Sequence, residues 1–225
     1  RALWEVTRRE RMDDSMFKSL FSSKRLGAWL AAGFLAVGLG TTAHAQGQTP
    51  DGLIKQVSND VLDAVKADKS IKQGDVAKVV ALVDAKVMPH VNFQRMTASA
   101  VGRYWRQATP EQQKRLQDEF KILLVRTYSG ALAQVQDQTV ELKPMRSSPG
   151  DKEVVVRTEI RGRGDPVQLD YRLENDNGTW RVFDINVLGV WLVENYRNSF
   201  AQEIGTGGID GLIGKLAERN KSAKS

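Results

Sequence analysis

Asp184 is the acidic residue whose surroundings in the sequence most suggest chemistry. It stands between Phe183 and Ile185 in a segment of alternating residues that predicts a β-strand. Alternation puts its side chain on the same face as Trp180 and Val182, where burial would raise its pKa and suit it to proton transfer. Such a carboxylate more often accepts hydrogen bonds from backbone N–H groups as a cap. Both interpretations stay open at this point.

Other catalytic or metal-binding groups are scarce. Downstream of residue 45 the sequence has a single histidine, His90, beside Pro89 in a predicted connector. One histidine and no cysteine supply neither a nucleophile–base pair nor the usual ligands of zinc. The glycine-rich residues 205–208 lack the Lys-Ser/Thr continuation of a phosphate-binding loop and fit a helix end better. The sequence therefore predicts no metal and no cofactor.

A further group of residues combines positive charge with aromatic rings. Its members are Arg103, Tyr104, Trp105, Arg106, Arg126 and Tyr128. In a corner of the core, the rings would pack together and the arginine stems would lie over them. At the mouth of a cavity, Arg103, Tyr104 and Arg126 would instead meet an anionic head group. The residue types fit either arrangement.

The segment from residue 139 to residue 188 predicts four successive antiparallel strands. The third is the clearest, because apolar and polar residues alternate from residue 167 to residue 173, ahead of an Asn-Gly hairpin at residues 177 and 178. Alternation predicts one apolar face that carries Val154, Val156, Leu169, Tyr171, Phe183, Ile185 and Val187. Trp180 and Val182 are predicted on the opposite face. Other elements must cover the apolar face.

Helices are predicted before and after these strands. Asp75 follows a glycine at the start of one amphipathic helix, and Thr109 with Gln112 forms a capping box before a long one. The helix after the strands is predicted to break at residues 205–208. The apolar faces of the long helix and of the helix after the strands carry Leu124, Tyr128, Val193 and Tyr196. Helices, a strand meander and further helices predict an α+β domain.

The first 45 residues have the pattern of an export signal. Basic residues at positions 18, 24 and 25 precede the apolar stretch 26–40, and Ala-His-Ala at 43–45 is a small-residue cleavage site. The apolar stretch is shorter than the roughly 20 residues that span a bilayer. We therefore predict a signal peptide at residues 16–45 and one mature domain at 46–225. Residues 1–15 receive no role.

Composition narrows the function further. Export and the lack of cysteine predict a soluble exported product without a disulfide scaffold. The formal charge of the chain is +6, and removal of residues 1–45 takes away seven basic and four acidic residues to leave +3. This balance is too mild to favour nucleic acid as a partner.

Three ordered stretches of the sequence resemble the toluene-tolerance or MlaC family of proteins. They comprise Arg95-Met96 with residues 101–112, residues 120–128, and residues 178–184 with 192–200. The similarity extends over essentially residues 50–220. The corner at residues 187–191 departs from the family pattern, in which a more acidic or polar sequence with a serine is expected.

The resemblance implies a periplasmic phospholipid carrier that is not an enzyme. Its fold would be a curved four-stranded antiparallel sheet, like the cone of nuclear transport factors, covered by a helical lobe. The acyl tails would lie between the sheet and the helices. Partners would be an outer-membrane lipoprotein–porin complex and an inner-membrane ABC transporter complex with its substrate-binding ring.

The apolar faces supply the residues predicted to line the tails. They are Leu124, Tyr128, Val154, Val156, Leu169, Tyr171, Phe183, Ile185, Val193 and Tyr196. Two other classes of protein remain open. An enzyme on the same fold would use Asp184, with Tyr128 or Tyr171, for proton transfer on a hydrophobic ligand. A structural adaptor would have a filled core.

Overall fold

The computed structural model describes residues 48–148 and 150–222. The helices are α1 (Pro50–Ala67), α2 (Lys69–Lys72), α3 (Val76–Lys86), α4 (Phe93–Val101), α5 (Pro110–Ala133) and α6 (Leu192–Ser222). Short 3-10 helices are Met88–His90 and Gly102–Gln107. The strands are β1 (Thr139–Leu142), β2 (Glu153–Arg161), β3 (Val167–Asp176), β4 (Thr179–Val187) and β5 (Val190–Trp191). The predicted signal peptide at 16–45 and the segment 1–15 lie outside the described residues.

The strands form one antiparallel sheet in sequence order, β1-β2-β3-β4-β5. The α+β class and the antiparallel sheet are therefore confirmed. The predicted number of four strands is wrong, because Val190 pairs with Val187 and adds the two-residue strand β5. The hairpin between β3 and β4 is confirmed, since Asn177 and Gly178 both have positive φ, at 51° and 91°.

A β-bulge in β4 changes which residues face the helices. Tyr171 pairs with Ile185, but Leu173 pairs with Val182, so β4 has one more residue than β3 in this interval. Val182 therefore shares a face with Ile185, and Phe183 does not. Trp180 packs with Val182 and Ile185, and Asp184 pairs with Arg172 on the other face. The predicted faces of β4 are therefore wrong for Phe183, Val182 and Trp180, and Asp184 does not share the face of Val182, because simple alternation assumes an unbroken register.

The ends of the helices follow their capping residues. The predicted capping box of α5 is confirmed, with the Thr109 hydroxyl accepting from the Gln112 N–H and the Gln112 side chain accepting from the Thr109 N–H. The Asp75 carboxylate accepts from the first turn of α3 as expected. The predicted break in the last helix is confirmed at Gly208, where φ is 67° and ψ is −174°. Helix α2 was not predicted, although Asp68 caps it.

An aromatic cluster fixes α4, α5 and α6 against one another. The ring centroid of Phe120 lies 5.8 Å from Phe93, 5.0 Å from Tyr196 and 5.2 Å from Phe200. Phe120, Tyr196 and Phe200 are completely buried. The pairs of Phe120 with Tyr196 and Phe200 are edge-to-face, which adds attraction to the burial of the rings. This part of the interior is filled by the protein's own side chains.

Truncation of the central ring tests this packing. Phe120→Ala is expected to lower the free energy of unfolding by about 3–5 kcal/mol, because a buried ring is lost and a cavity remains. Phe120→Leu fills more of the space and should lose less. Urea unfolding followed by circular dichroism measures both variants. An unchanged midpoint for Phe120→Ala would contradict the assignment of Phe120 to a filled core.

Candidate functional site

A cavity of about 390 Å³ lies between the sheet and helices α1, α3 and α5. This volume falls within the range of about 300–1,000 Å³ typical of ligand sites. The sheet contributes Val140, Ile160, Val167, Leu169, Tyr171, Val182, Ile185 and Val187 to its lining. The three helices contribute Leu53, Ile54, Val57, Val61, Leu62, Val79, Val83, Leu124, Val125, Tyr128, Ala131 and Leu132. The lining is overwhelmingly apolar.

The burial of neighbouring residues shows that this volume is not filled by side chains. Leu124, Leu169 and Ile185 line the cavity and remain partly accessible. Val156 and Leu173, on the same sheet but outside the lining, are completely buried. Large apolar residues keep accessible area inside a protein only where neighbouring atoms leave a gap. The gap therefore lies along the sheet face that the sequence predicts to be apolar.

Tyr171 places a polar group inside this apolar lining without leaving it unpaired. Its hydroxyl forms hydrogen bonds with Ser58 of α1 and Thr158 of β2. Burial raises the pKa of Tyr171, and these two hydrogen bonds act in the opposite direction. The phenol is thus neutral at physiological pH. It links α1 to the sheet across one side of the cavity.

Five of the ten predicted tail-lining residues come together at the cavity. They are Leu124, Tyr128, Leu169, Tyr171 and Ile185. Val154 and Val156 belong to a buried cluster beside the cavity, and Val193 and Tyr196 belong to the buried cluster around Phe120. These four lie outside the lining because packed side chains cover them.

Phe183, the remaining predicted tail-lining residue, contacts other groups. It lines a separate groove with Val155 and Arg172, and the Arg95 guanidinium lies 3.6 Å from its ring centroid. Val155 and Arg172 pair with each other across β2 and β3, one residue away from positions that face the helices. The bulge in β4 accounts for this placement.

The predicted head-group residues do not line the cavity either. Arg103 donates a hydrogen bond of 2.9 Å to the Tyr104 hydroxyl, and its guanidinium lies 4.9 Å from the Tyr104 ring centroid. This pair occupies the 3-10 helix before α5. Arg126 lies on α5 but outside the lining. The structure therefore does not bring the three residues together at the cavity.

Sequence reasoning missed several residues that do line the cavity. Val57 and Val61 of α1 belong to an ordinary amphipathic pattern, which does not distinguish a cavity wall from a core. His90, which the sequence places in a connector with no predicted site role, also lies on the lining. Lys121 was passed over, although it precedes Leu124 by three residues and so shares its helix face.

Asp184 holds the start of α6 and does not line the cavity. Its carboxylate accepts hydrogen bonds from the Val193 N–H at 3.1 Å, the Ile185 N–H at 2.9 Å and Arg172 Nη1 at 3.1 Å. The residue is 1% exposed. Burial raises the pKa of Asp184, while the two backbone N–H groups and Arg172 oppose the rise. This geometry is that of a cap reached from a neighbouring strand.

Over residues 48–148 and 150–222, no three side chains of histidine, cysteine, aspartate or glutamate are grouped so that they could hold a metal ion. In the same ranges, no helix combines the length and the apolar character needed to cross a membrane.

Comparison with protein-family models gives a match that spans most of the chain. The model of the family described as "MlaC protein" matches residues 55–218. The chain belongs to the MlaC family. The residue patterns that carried the resemblance in the sequence are thereby confirmed as a family relationship.

Individual relatives of this MlaC family member agree with the assignment. The toluene tolerance protein Ttg2D of Pseudomonas putida is 27% identical over 183 residues, which cover 78% of this chain and 85% of that protein. The intermembrane phospholipid transport system binding protein MlaC of Haemophilus influenzae is 23% identical over 174 residues, which cover 76% of this chain and 81% of that protein.

A solved structure resembles the fold closely. It is a phospholipid-binding protein from Ralstonia solanacearum in complex with a phospholipid. The TM-score is 0.75 and the sequence identity is 46%, over 80% of this chain and 99% of the other.

Replacement of Asp184 tests its role as a cap. Asp184→Ala is expected to lower the free energy of unfolding by about 2 kcal/mol, because two backbone N–H groups lose their acceptor in a buried position. Asp184→Asn keeps one acceptor oxygen and should lose less. Chemical unfolding at pH 7 measures both changes. Equal stability of all three proteins would rule out the capping role.

The raised pKa of Asp184 also predicts a dependence on pH. Between the unfolded pKa, about 3.9, and the higher folded value, the folded state binds more protons than the unfolded state. The free energy of unfolding therefore falls as pH rises through this window. Asp184→Asn lacks this contribution, so the stability of the wild type relative to this variant should decline as pH increases from about 4. A relative stability that rises instead would show a lowered pKa.

Proposed function

We propose that this chain is a periplasmic phospholipid carrier whose acyl tails occupy the cavity between the sheet and helices α1, α3 and α5. The observation that carries the proposal is an apolar volume of about 390 Å³ that the protein's own side chains leave open. The phospholipid held by the Ralstonia solanacearum protein supports it. So does the transport role in the name of the Haemophilus influenzae relative.

The residues proposed to contact the tails are the lining residues on opposite walls of the cavity. Leu169, Tyr171 and Ile185 form part of the sheet wall, and Leu124 and Tyr128 part of the helical wall. Apolar walls on both sides remove an alkyl chain from water around its circumference. Burial of each methylene contributes about 0.8 kcal/mol, so one long acyl chain contributes on the order of 10 kcal/mol.

This magnitude determines how a carrier must exchange its lipid. Release of a tail into water is slow when it loses a burial free energy on the order of 10 kcal/mol. Unloading therefore requires a second apolar conduit placed against the mouth of the cavity. We propose that an outer-membrane lipoprotein–porin complex and an inner-membrane ABC transporter complex supply these conduits, and that the carrier moves between them in the periplasm after removal of its signal peptide.

The alternative of an enzyme on the same cone-shaped fold rests on Asp184 as the base. Such a base must reach the ligand directly or through one water. The carboxylate of Asp184 is instead occupied by two backbone N–H groups and Arg172. It lies outside the cavity lining. These contacts favour the carrier.

Filling the cavity tests the proposal. Leu169→Trp adds volume to the sheet wall and is expected to reduce co-purified phospholipid several-fold. Gln168→Trp is the matched control, because the adjacent residue on β3 is exposed and outside the lining. Native mass spectrometry of protein purified from the periplasm, followed by lipid extraction, gives the occupancy of each.

Two outcomes would contradict the carrier. One is wild-type protein that contains no phospholipid and acquires none from vesicles. The other is equal occupancy in Leu169→Trp, Gln168→Trp and the wild type, which would place the lipid somewhere other than this cavity.

A further inference from the structure

The described lining of the cavity contains one residue with a formal charge at neutral pH, Lys121, and no carboxylate. All other polar lining groups are hydroxyl, amide or imidazole groups. The lining itself thus holds a cation and no carboxylate, and the carboxylate that pairs with this cation, Asp84, lies outside the lining. An apolar cavity with this single charge is complementary to an amphiphile that has one anionic group.

Lys121 lies where the cavity approaches solvent. Its ammonium is 2.7 Å from Asp84 Oδ1, which joins α5 to α3. The Lys121 side chain is 23% exposed and that of Asp84 is 46% exposed, and Asp84 does not line the cavity. The lysine thus contacts the apolar volume on one side and a surface carboxylate on the other. An anion at the mouth can share or replace the Asp84 contact.

The position of Lys121 along α5 also fits an amphiphile. Lys121, Leu124, Tyr128 and Leu132 follow one another at spacings of three or four residues and all line the cavity. At a rise of 1.5 Å per residue, Lys121 and Leu132 are about 16 Å apart along the helix. The charge therefore stands at one end of an apolar stripe along which an alkyl chain can extend.

We propose that Lys121 binds the anionic group of the lipid and so selects charged over neutral amphiphiles. The inference rests on the proposed carrier function and adds a ligand contact to it. Two ligand groups share the required chemistry, the phosphodiester of a phospholipid and the carboxylate of a fatty acid. Asp84 balances the lysine when no ligand anion is in contact with it.

Selectivity during loading tests this role. Purified full-length mature protein is stripped of lipid and incubated separately with vesicles that contain phosphatidylglycerol, palmitic acid or diacylglycerol, and bound lipid is quantified by extraction and mass spectrometry. Wild-type protein is expected to load the anionic lipids in preference to diacylglycerol. Lys121→Met should reduce this preference about fivefold, which corresponds to the free energy that a partly exposed ion pair contributes. Lys121→Arg keeps the positive charge and should therefore keep the preference for anionic lipid.

Two control variants separate selectivity from stability and from overall charge. Lys114→Met removes the same charge from the same helix, at a residue that pairs with Asp118 and does not line the cavity. Asp84→Asn breaks the ion pair but leaves the lysine. Both should keep the preference for anionic lipid.

The outcomes distinguish the inference from the carrier function. Dependence on Lys121 for phosphatidylglycerol, palmitic acid or both supports the inference and identifies the anion. Equal preference in the wild type and Lys121→Met overturns the inference and leaves the carrier intact. A loss of preference in Asp84→Asn as large as in Lys121→Met also overturns it, because the ion pair would then act by holding α3 on α5. Failure of wild-type protein to load any lipid overturns the carrier function itself.

Discussion

The open volume in this protein depends on packing at its margins. One buried cluster joins α4, α5 and α6 around Phe120, a second joins α1, α3 and α5 around Val65, and a third joins α1 to the sheet around Leu173. Each cluster is packed without large accessible area, so the elements cannot close on the space between them without displacing well-packed side chains. Side chains that border an unfilled volume of about 390 Å³ lose the dispersion contacts that a packed core would supply. A hydrocarbon ligand that occupies it offsets this loss.

The polar contacts near the cavity have structural roles that keep its walls in place. Asp184 fixes the start of α6 on β4, and the Arg172 guanidinium that pairs with it also lies 3.8 Å from the Trp191 ring centroid. The hydroxyl of Tyr171 connects the sheet to Ser58 on α1. In both places a buried polar group finds partners from another element, which specifies one relative position of the two.

Local sequence signals predicted the elements well, and the site only in part. The capping box at Thr109 and Gln112 and the Asn-Gly hairpin depend on residues a few positions apart, so the sequence contains all the information they need. The faces of β4 depend on a bulge that has no marker in its sequence, which is why alternation assigns Phe183, Val182 and Trp180 to the wrong faces.

The limits of the cavity were beyond sequence reasoning for a different reason. Val156 and Leu169 have the same apolar character and lie on one face of the sheet, yet the first is packed and the second borders open space. Val156 belongs to a buried cluster with Leu53 and Ile54 of α1, and Leu169 does not. Such tertiary contacts are not recorded in any local pattern. Lys121 could have been found from its spacing to Leu124, because a charge on an apolar helix face is visible in the sequence.

The bulge in β4 means that backbone insertion helps to set the capacity of the cavity. With an unbroken register Phe183 would take the inward position beside Ile185, and its ring would enter a space that the smaller Val182 now borders. The same side chains in an unbroken register would therefore enclose a smaller cavity. The register of one strand thus gives evolution a route to cargo of a different girth.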